Sequence, residues 1–294
     1  MAITGGPGLA EQMKELTRRR PSFIVGTATR LWEILNSKHR VIDNEKTVCV
    51  VFDEFDQALR SLLVKKRTKI QKPSIMIAKM FASQENTQLI GCSATYDQKT
   101  VDKVAQIGFK NNNLRTFAIN KDKVLPHVLH QFAVGYHLDF ERRLDLFLSL
   151  YRKLTPRSVL LIVPDQNFES RKLIDRLNQQ SLRTVFLNES TLSGDRKAAT
   201  ERFEEEEIKI AVTTEYFLRG IDLDFVSHVF AWSASDRADL ATVYQHLSGR
   251  AGRPSRELPF LLSPGKCITL VDFEEIPLLE KIEKKLGFKF SRLN

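Results

Sequence analysis

Two adjacent acidic residues, Asp53 and Glu54, stand directly after the apolar run 50–52. A buried strand that ends in two carboxylates suits nucleotide chemistry: one acid holds Mg²⁺ on phosphates and the next orients an attacking water. The same pattern arises where a helix follows a strand, because acidic side chains stabilise the free amides of a helix N-terminus. The residues by themselves leave both interpretations open and favour the nucleotide chemistry.

Two arginines three positions apart mark a second candidate site, in the sequence Gly249-Arg250-Ala251-Gly252-Arg253. Each arginine follows a glycine, which lets the backbone turn tightly and approach a ligand closely. Guanidinium groups in that setting suit bidentate contact with phosphate oxygens. An ordinary basic turn is the other interpretation, and the repeated Gly-Arg pair disfavours it.

The charge balance points to a polyanionic partner. The 294 residues carry 45 Lys+Arg against 36 Asp+Glu, a formal net charge of +9. Basic side chains on phosphates release condensed counterions and so gain free energy. RNA, DNA and an acidic protein all remain open on composition alone. No run approaches the roughly 18–20 apolar residues of a membrane span, so no membrane partner is expected.

The three cysteines, Cys49, Cys92 and Cys267, are too few and too far apart for a disulfide framework or a zinc site. Cys49 and Cys92 lie inside apolar runs, so we expect small core residues in a reducing, intracellular compartment. Nucleus, cytoplasm and organelle are left open.

The elements that must position these residues are short β-branched runs alternating with longer periodic stretches. Near-continuous apolar strands that alternate with helices predict parallel sheets covered on both faces. Ligands of such sheets bind at the carboxyl ends of the strands. The predicted strands are 23–26, 47–52, 88–92, 158–163, 184–187, 208–213, 228–232 and 267–271, and the predicted helices include 141–153, 170–179, 195–204 and 276–286.

A break in this alternation predicts two domains. The mixed-polarity passage after residues 111–113 contains few apolar runs, and a helical pattern begins near residue 139. We predict a first domain over 1–117, a linker over 118–135 and a second domain over 136–294.

The order and spacing of seven sequence elements resemble the DEAD-box family of superfamily 2 helicases. Residues 4–6 are similar to its double-glycine motif, 26–31 to T-P-G-R-L, 53–56 to D-E-A-D and 93–95 to S-A-T. Residues 195–196 are similar to the end of Q-x-x-R, 214–222 to T-D-x-A-x-R-G-x-D and 246–253 to H-R-x-G-R-x-G-R. The resemblance implies an α/β fold of two RecA-like domains with parallel sheets, the first incomplete at its N-terminus. It also implies an ATP-dependent RNA helicase or RNP remodeller.

The resemblance assigns four kinds of role. The residues it makes catalytic are Asp53, which also holds Mg²⁺, Glu54, which positions the water, and the γ-phosphate contacts Arg250 and Arg253. Those that couple nucleotide to RNA are Ser93, Thr95, His246 and Asp56. Those that bind the nucleotide are Asp222, at the ribose, and Gly220. Those that hold the RNA backbone are Gly6, Thr27, Arg30, Arg196, Thr214 and Arg219.

The family's phosphate-binding loop, G-x-x-x-x-G-K-[ST], is absent from the 294 residues, and the only Gly-Lys pair is Gly265-Lys266. The glutamine motif and the P-T-R-E-L element, which also precede the double glycine, are absent too. We therefore expect a missing contiguous N-terminal block, from an incompletely read gene or a portion beginning downstream. ATP and Mg²⁺ are expected as cofactors if that block exists. Its loss would expose an apolar seam, so a shortened protein that a partner protein completes or supports is the alternative.

Several substitutions depart from the family pattern. Phe55 stands for alanine, Leu247 for arginine and Glu215 for aspartate, while 217–218 and 28–29 also differ. The changes keep both acids and both arginines but alter their packing. They motivate an alternative, a catalytically inactive RNA-binding scaffold in a ribosome or RNP assembly complex. A DNA-acting superfamily 2 enzyme is a third hypothesis. The expected partner is RNA within an RNP such as a ribosomal assembly particle.

Overall fold

The computed structural model describes residues 1–5, 8–39, 41–55, 72–93, 115, 117, 128–164, 170–188, 191, 193–215, 217, 223, 226–234, 240–252 and 264–293. The chain divides into two compact units. The first unit is Met1–Phe117 and the second unit is Ala118–Asn294.

The described part of the first unit contains four short strands and three helices. They are β1 (Ala2–Ile3), α1 (Leu9–Arg19), β2 (Val25–Gly26), α2 (Ala28–Leu35), β3 (Cys49–Phe52), α3 (Pro73–Ala82) and β4 (Gln88–Gly91). β1 pairs with β2 and β3 pairs with β4, in both cases in parallel. Among the described residues these pairs form two separate two-stranded sheets.

Local sequence signals set the ends of the helices in the first unit. α3 begins with Pro73, whose fixed φ suits a first helical turn. The C-cap of α1 is Arg20, which has a φ of 44° and donates its amide to the carbonyl of Leu16 at 2.9 Å. The apolar faces of α1 and α2 bury Leu16 and Ile34 beside Ile3 of β1. This small core holds the ends of β1 and β2 in place.

Several large apolar side chains of the first unit are exposed, among them Phe23 (83%), Val48 (74%) and Val51 (59%). Cys49 and Cys92 are exposed too, so the prediction that they are core residues is wrong. Cys49 lies in β3 and Cys92 follows β4, and each of these strands has a single pairing partner in the described part of the chain. Alternate side chains of such a strand face opposite sides of the sheet, and here one of those sides is uncovered.

The second unit is built around a larger sheet. Its described elements are β5 (Val128–Gly135), α4 (Phe140–Leu154), β6 (Val159–Val163), α5 (Ser170–Gln179), β7 (Thr184–Leu187), α6 (Ser193–Glu204), β8 (Ile210–Thr214), β9 (His228–Ala231), α7 (Leu240–Ser248), β10 (Gly265–Asp272), α8 (Ile276–Leu286) and β11 (Ser291–Arg292). Over these residues the sheet has seven strands in the order β11-β5-β10-β9-β6-β8-β7. Every pairing in it is parallel.

Apolar side chains cover both faces of this sheet. All five residues of β6 are buried. Leu160 and Ile162 belong to one core cluster, and Leu161 and Val163, which point the other way, belong to a second. Burial on both faces explains why the central strands are near-continuous apolar runs. The predicted α/β fold with parallel sheets is confirmed.

A buried cation joins α4 to the ends of two central strands. Nη1 of Arg143 donates to the carbonyl oxygen of Trp232 at 2.7 Å and to that of Leu270 at 2.8 Å. Glu275 lies 3.4 Å from the same nitrogen and balances its charge. The guanidinium thus satisfies backbone acceptors where β9 and β10 end.

The predicted linker 118–135 is wrong at its C-terminal end. Val128–Gly135 is strand β5, which pairs with β10 along eight residues. The strand lies next to the edge of the sheet, where β11 covers it at two positions. The strand includes the polar residues His130 and Gln131, so its mixed polarity resembles a linker in sequence, although His130 is buried and hydrogen-bonded to Tyr244. Residues 118–127 lie outside the described residues.

Candidate functional site

The acidic turn of the first unit, Asp53–Phe55, leaves the carboxyl end of β3. β4 ends beside it, because the last residues of the two strands, Phe52 and Gly91, are paired. Ser93 therefore follows β4 at the same edge of the sheet as the two acids. The amide of Phe55 donates to the carbonyl of Cys92 at 2.8 Å and joins the two segments.

The two carboxylates differ in their surroundings. Asp53 is exposed, and its Oδ1 accepts the amide of Glu54 at 2.9 Å. Glu54 is half-buried and has a φ of 48°, a left-handed conformation that side-chain-bearing residues rarely adopt. The Asp53 carboxylate on one side and the Phe55 amide, which donates to the Cys92 carbonyl, on the other hold this conformation. The backbone conformation of Glu54 is therefore set by its neighbours and not by local preference.

A second group in the first unit combines the end of β1 with the start of α2. Gly26 lies so close to β1 that an added Cβ would be 2.6 Å from the carbonyl oxygen of Ile3. Thr27 is the exposed N-cap of α2, and its side chain makes no capping hydrogen bond. Nη2 of Arg30 donates to the carbonyl of Gly5 at 3.1 Å, and its Nε lies 3.2 Å from Glu33. The residues predicted to hold RNA, Thr27 and Arg30, thus lie together beside Gly5.

Thr214, predicted to hold RNA, is fully buried at the end of β8. Its hydroxyl accepts the amide of Phe217 at 3.1 Å. Phe217, where the family pattern has a small residue, packs into the core of the second unit. In this structure the Thr214 side chain holds the turn, so it would reach a ligand only after that turn rearranges.

Arg250 lies in the turn that follows α7. The amide of Gly252 in that turn donates to the carbonyl of Val226 at 3.1 Å. An added Cβ on Gly265, the first residue of β10, would be 2.3 Å from the nitrogen of Gly252. The turn therefore lies at the amino ends of β9 and β10, and the expectation that site residues cluster at carboxyl ends is wrong here. α7 follows β9 and returns toward the start of that strand, which carries the turn to this edge.

The remaining predicted residues of the second unit vary in placement. His246 and Arg250 are both half-buried. Leu247, which replaces an arginine of the family pattern, is 3% exposed and packs in the core. Arg196 falls within α6. The predicted site residues that lie outside the described residues are Gly6, Asp56, Thr95, Arg219, Gly220, Asp222 and Arg253.

The sequence did not single out Gly26 or Gly91 as site residues, and it singled out Gly265 only for its Gly-Lys pair. All three allow close approach of neighbouring chain segments, since an added Cβ would lie under 3 Å from another atom. The only local signal is a glycine at the end or start of a strand, which indicates a tight approach but not its partner.

The donor set of the acidic turn fits Mg²⁺. This ion is usually held by one or two carboxylates together with nucleotide phosphates, and not by a cage of protein ligands. Asp53 offers an exposed carboxylate of that kind. In the described part of the chain no group of three or more His, Cys, Asp or Glu residues could hold a metal ion without such phosphates.

The helices described are all too short or too polar to cross a membrane.

Two family models match the chain. The DEAD/DEAH box helicase model matches residues 1–104, and the helicase conserved C-terminal domain model matches residues 142–255. The DEAD-box ATP-dependent RNA helicase CshC of Bacillus cereus is 23% identical over 291 residues, covering 99% of this chain and 67% of its own length. The ATP-dependent RNA helicase FAL1 of Saccharomyces cerevisiae is 23% identical over 296 residues, covering 99% of this chain and 67% of its own length.

A solved structure shows the same fold. Dbp5 of S. cerevisiae, bound to RNA and ADP BeF3, matches with a TM-score of 0.75 at 20% identity. The match covers 100% of this chain and 69% of Dbp5. This chain thus spans about two thirds of the length of the relatives it matches.

The parallel sheets and the acidic turn at a strand end define an α/β protein with the RecA-like fold of helicases. The chain belongs to the DEAD-box family of superfamily 2 helicases. The resemblance found in its motifs is thereby confirmed, although the family leaves the roles of individual residues as predictions.

Proposed function

We propose that this protein is an ATP-dependent RNA helicase or RNP remodeller that grips the RNA backbone with its two RecA-like lobes. One observation carries the proposal. The turn that bears the two carboxylates is joined to the segment that leads into Ser93 by a hydrogen bond from the Phe55 amide to the Cys92 carbonyl. A change at the nucleotide-facing acids can therefore reach the segment that the family uses to sense RNA.

The acids divide the work of hydrolysis in this proposal. Asp53 would hold Mg²⁺, which when bound on ATP neutralises the charge that develops on the phosphates. Glu54 would accept a hydrogen bond from the attacking water and orient it. Arg250 and Arg253 would contact the γ-phosphate. The phosphate-binding loop is not among the 294 residues, so ATP binding by this mechanism depends on that loop being present in the protein.

RNA binding in this proposal uses the group at the start of α2. Free amides at a helix N-terminus bind phosphate, and the N-terminal end of α2 is accessible because its N-cap, Thr27, is exposed. Arg30 lies beside it and adds positive charge. Contacts to phosphate and sugar position a nucleic acid without reading its sequence. The net charge of +9 strengthens such binding through counterion release.

The scaffold alternative is not favoured, because the relatives are named as ATP-dependent RNA helicases and this chain keeps both carboxylates. An RNP such as a ribosomal assembly particle as the target, a supporting protein partner and an intracellular location stay predictions.

The test is ATP hydrolysis by the protein isolated from its own cells, with and without single-stranded RNA. We expect RNA to stimulate hydrolysis and Glu54→Gln to lower kcat by about 10²-fold, a typical loss for a proton-transfer or water-orienting group. Glu45→Gln removes the same charge from an exposed site in the same unit and should leave kcat unchanged. RNA binding without any ATP requirement, unaltered by Glu54→Gln, would instead support the scaffold.

A second measurement tests the nucleic-acid partner. Arg30→Met should lower RNA affinity and reduce the slope of log K against log salt by about 1. Arg19→Met removes the same charge from the exposed face of α1, where Arg19 pairs with Glu15, and should leave the slope unchanged. Equal affinity for RNA and DNA of one sequence would point to a DNA-acting enzyme.

A further inference from the structure

Phe55 places an aromatic ring where the family pattern has alanine. The ring lies on Gly91, the last residue of β4. A Cβ added to Gly91 would be 2.4 Å from Cδ1 and 2.7 Å from Cγ of Phe55. Carbon atoms in favourable contact lie about 3.5–4.0 Å apart. Position 91 therefore admits no side chain while the ring stays where it is.

The contact between Phe55 and β4 also includes the backbone. The amide of Phe55 donates to the carbonyl of Cys92 at 2.8 Å, and the amide of Cys92 donates to the carbonyl of Phe52 at 2.9 Å. These two bonds extend the pairing of β3 and β4 past their last paired residues. The ring of Phe52, the last residue of β3, lies 5.7 Å from the Phe55 ring, centroid to centroid, and packs against it.

Glu54 depends on this anchor. Its φ of 48° is disfavoured for a residue with a side chain, so the conformation must be held from outside. On the N-terminal side, Oδ1 of Asp53 accepts the Glu54 amide at 2.9 Å. On the C-terminal side, the next residue is Phe55, fixed by its ring and its amide. Release of Phe55 would free Glu54 to relax toward an ordinary conformation.

We propose that Phe55 is a positioning residue whose ring, seated on Gly91, holds Glu54 in place and ties it to the segment leading into Ser93. Gly91 is its matched partner, since the ring occupies the space that a side chain at position 91 would need. The catalytic consequence rests on the proposed function of Glu54, whereas the contact itself does not.

The contact is tested by hydrogen exchange at the backbone amide of residue 55 in Phe55→Ala, Gly91→Ala and the double variant, each rate being taken relative to that of an unstructured peptide of the same sequence. Each single variant should speed exchange by about tenfold, as a loss of about 1.4 kcal/mol of local stability would do. The double variant should exchange like Phe55→Ala, because an alanine at position 91 has nothing to clash with once the ring is gone. Wild-type exchange in Gly91→Ala, or an undiminished effect of Gly91→Ala in the Phe55→Ala background, would overturn the pairing.

The positioning role is tested by RNA-stimulated ATP hydrolysis of the same variants. Phe55→Ala and Gly91→Ala should each lower kcat by about tenfold, equivalent to about 1.36 kcal/mol of barrier, with KM for ATP unchanged. Phe55→Tyr keeps the ring and should keep kcat. Wild-type kcat in Phe55→Ala despite faster exchange would reduce Phe55 to a packing residue. If the wild-type protein hydrolyses no ATP, the proposed function fails, and the exchange experiment alone still decides whether Phe55 holds the turn.

Discussion

Substitution of Gly265 tests how the second unit positions the turn that follows α7 and bears Arg250. Gly265 belongs to the only Gly-Lys pair of the chain, although it begins β10 and does not form a phosphate-binding loop. The change Gly265→Ala adds one methyl group. That carbon would lie 2.3 Å from the nitrogen of Gly252 and 2.5 Å from the carbonyl carbon of Ala251. Both contacts are with backbone atoms, so relief requires the turn or the strand to move.

Two effects should lower the unfolding free energy of the Gly265→Ala variant: overpacking and the loss of a hydrogen bond. Contacting heavy atoms favour separations of about 3.5–4.0 Å, so the turn must withdraw by roughly 1 Å. Overpacking of this kind costs about 1–3 kcal/mol. The withdrawal also breaks the 3.1 Å bond from the Gly252 amide to the Val226 carbonyl, worth about 0.5–1.5 kcal/mol. We expect Gly265→Ala to lower the unfolding free energy by about 2–4 kcal/mol.

Tryptophan fluorescence can follow unfolding of the second unit separately. Trp232 is 3% exposed in that unit, and replacing the other tryptophan, Trp32, with phenylalanine leaves it as the single reporter. In urea the slope of the unfolding free energy is about 1–3 kcal/mol per molar, so the midpoint should fall by roughly 1–2 M.

The matched control is Gly194→Ala. Gly194 lies in α6, and a Cβ there would have no heavy atom within 4 Å. Alanine is favoured over glycine in a helix by up to about 1 kcal/mol, so the midpoint should hold or rise slightly. A Gly265→Ala midpoint equal to that of the wild type would refute the claim that β10 presses on the turn.

Three further predictions address other parts of the chain. Burial, together with neighbouring Lys266, lowers the pKa of His228 to about 4. Because the unfolded chain binds the proton first, near pH 6.5, the unfolding free energy should fall by up to about 3 kcal/mol as pH drops from 6.5 to 4, and by less where water reaches the ring. Urea titrations of His228→Gln should lack this loss, and a slope like that of the wild type would contradict the assignment. Arg143→Met leaves two strand carbonyls without their charged donor and should cost about 3–5 kcal/mol in thermal or urea unfolding, whereas an unchanged midpoint would exclude a structural role. Gly26→Ala, whose Cβ would lie 2.6 Å from the Ile3 oxygen, should displace the start of α2 and weaken RNA binding severalfold by fluorescence polarisation, with equal affinity as the contrary result.

The location of the candidate site residues of the first unit at neighbouring strand ends could be predicted from the sequence. Apolar runs of strand length end directly at Asp53 and at Ser93, and parallel strands place such ends at one edge. The pairing of Phe52 with Gly91 fulfils that expectation. The family could be predicted from the order of the motifs for the same reason. The spacing of the motifs along the chain corresponds to the strand ends that lie together in the fold.

Other features were decided only by tertiary contacts. Thr214 matches a motif position, yet its hydroxyl is buried against the Phe217 amide, and no local pattern shows that a polar side chain caps its own turn. The strand Val128–Gly135 contains His130, whose ring is buried against Tyr244, and a partner 114 residues away is not visible in the local sequence.

Residue type and spacing along the chain are enough to predict the alternation of strands and helices, the family and the positions of the two carboxylates. Which glycines make room for which neighbours depends on tertiary contacts: Gly91 for the ring of Phe55 and Gly265 for the turn that bears Arg250. The physical reason is that close packing is a property of pairs far apart in sequence. A glycine shows that something comes near, and only the folded chain shows what.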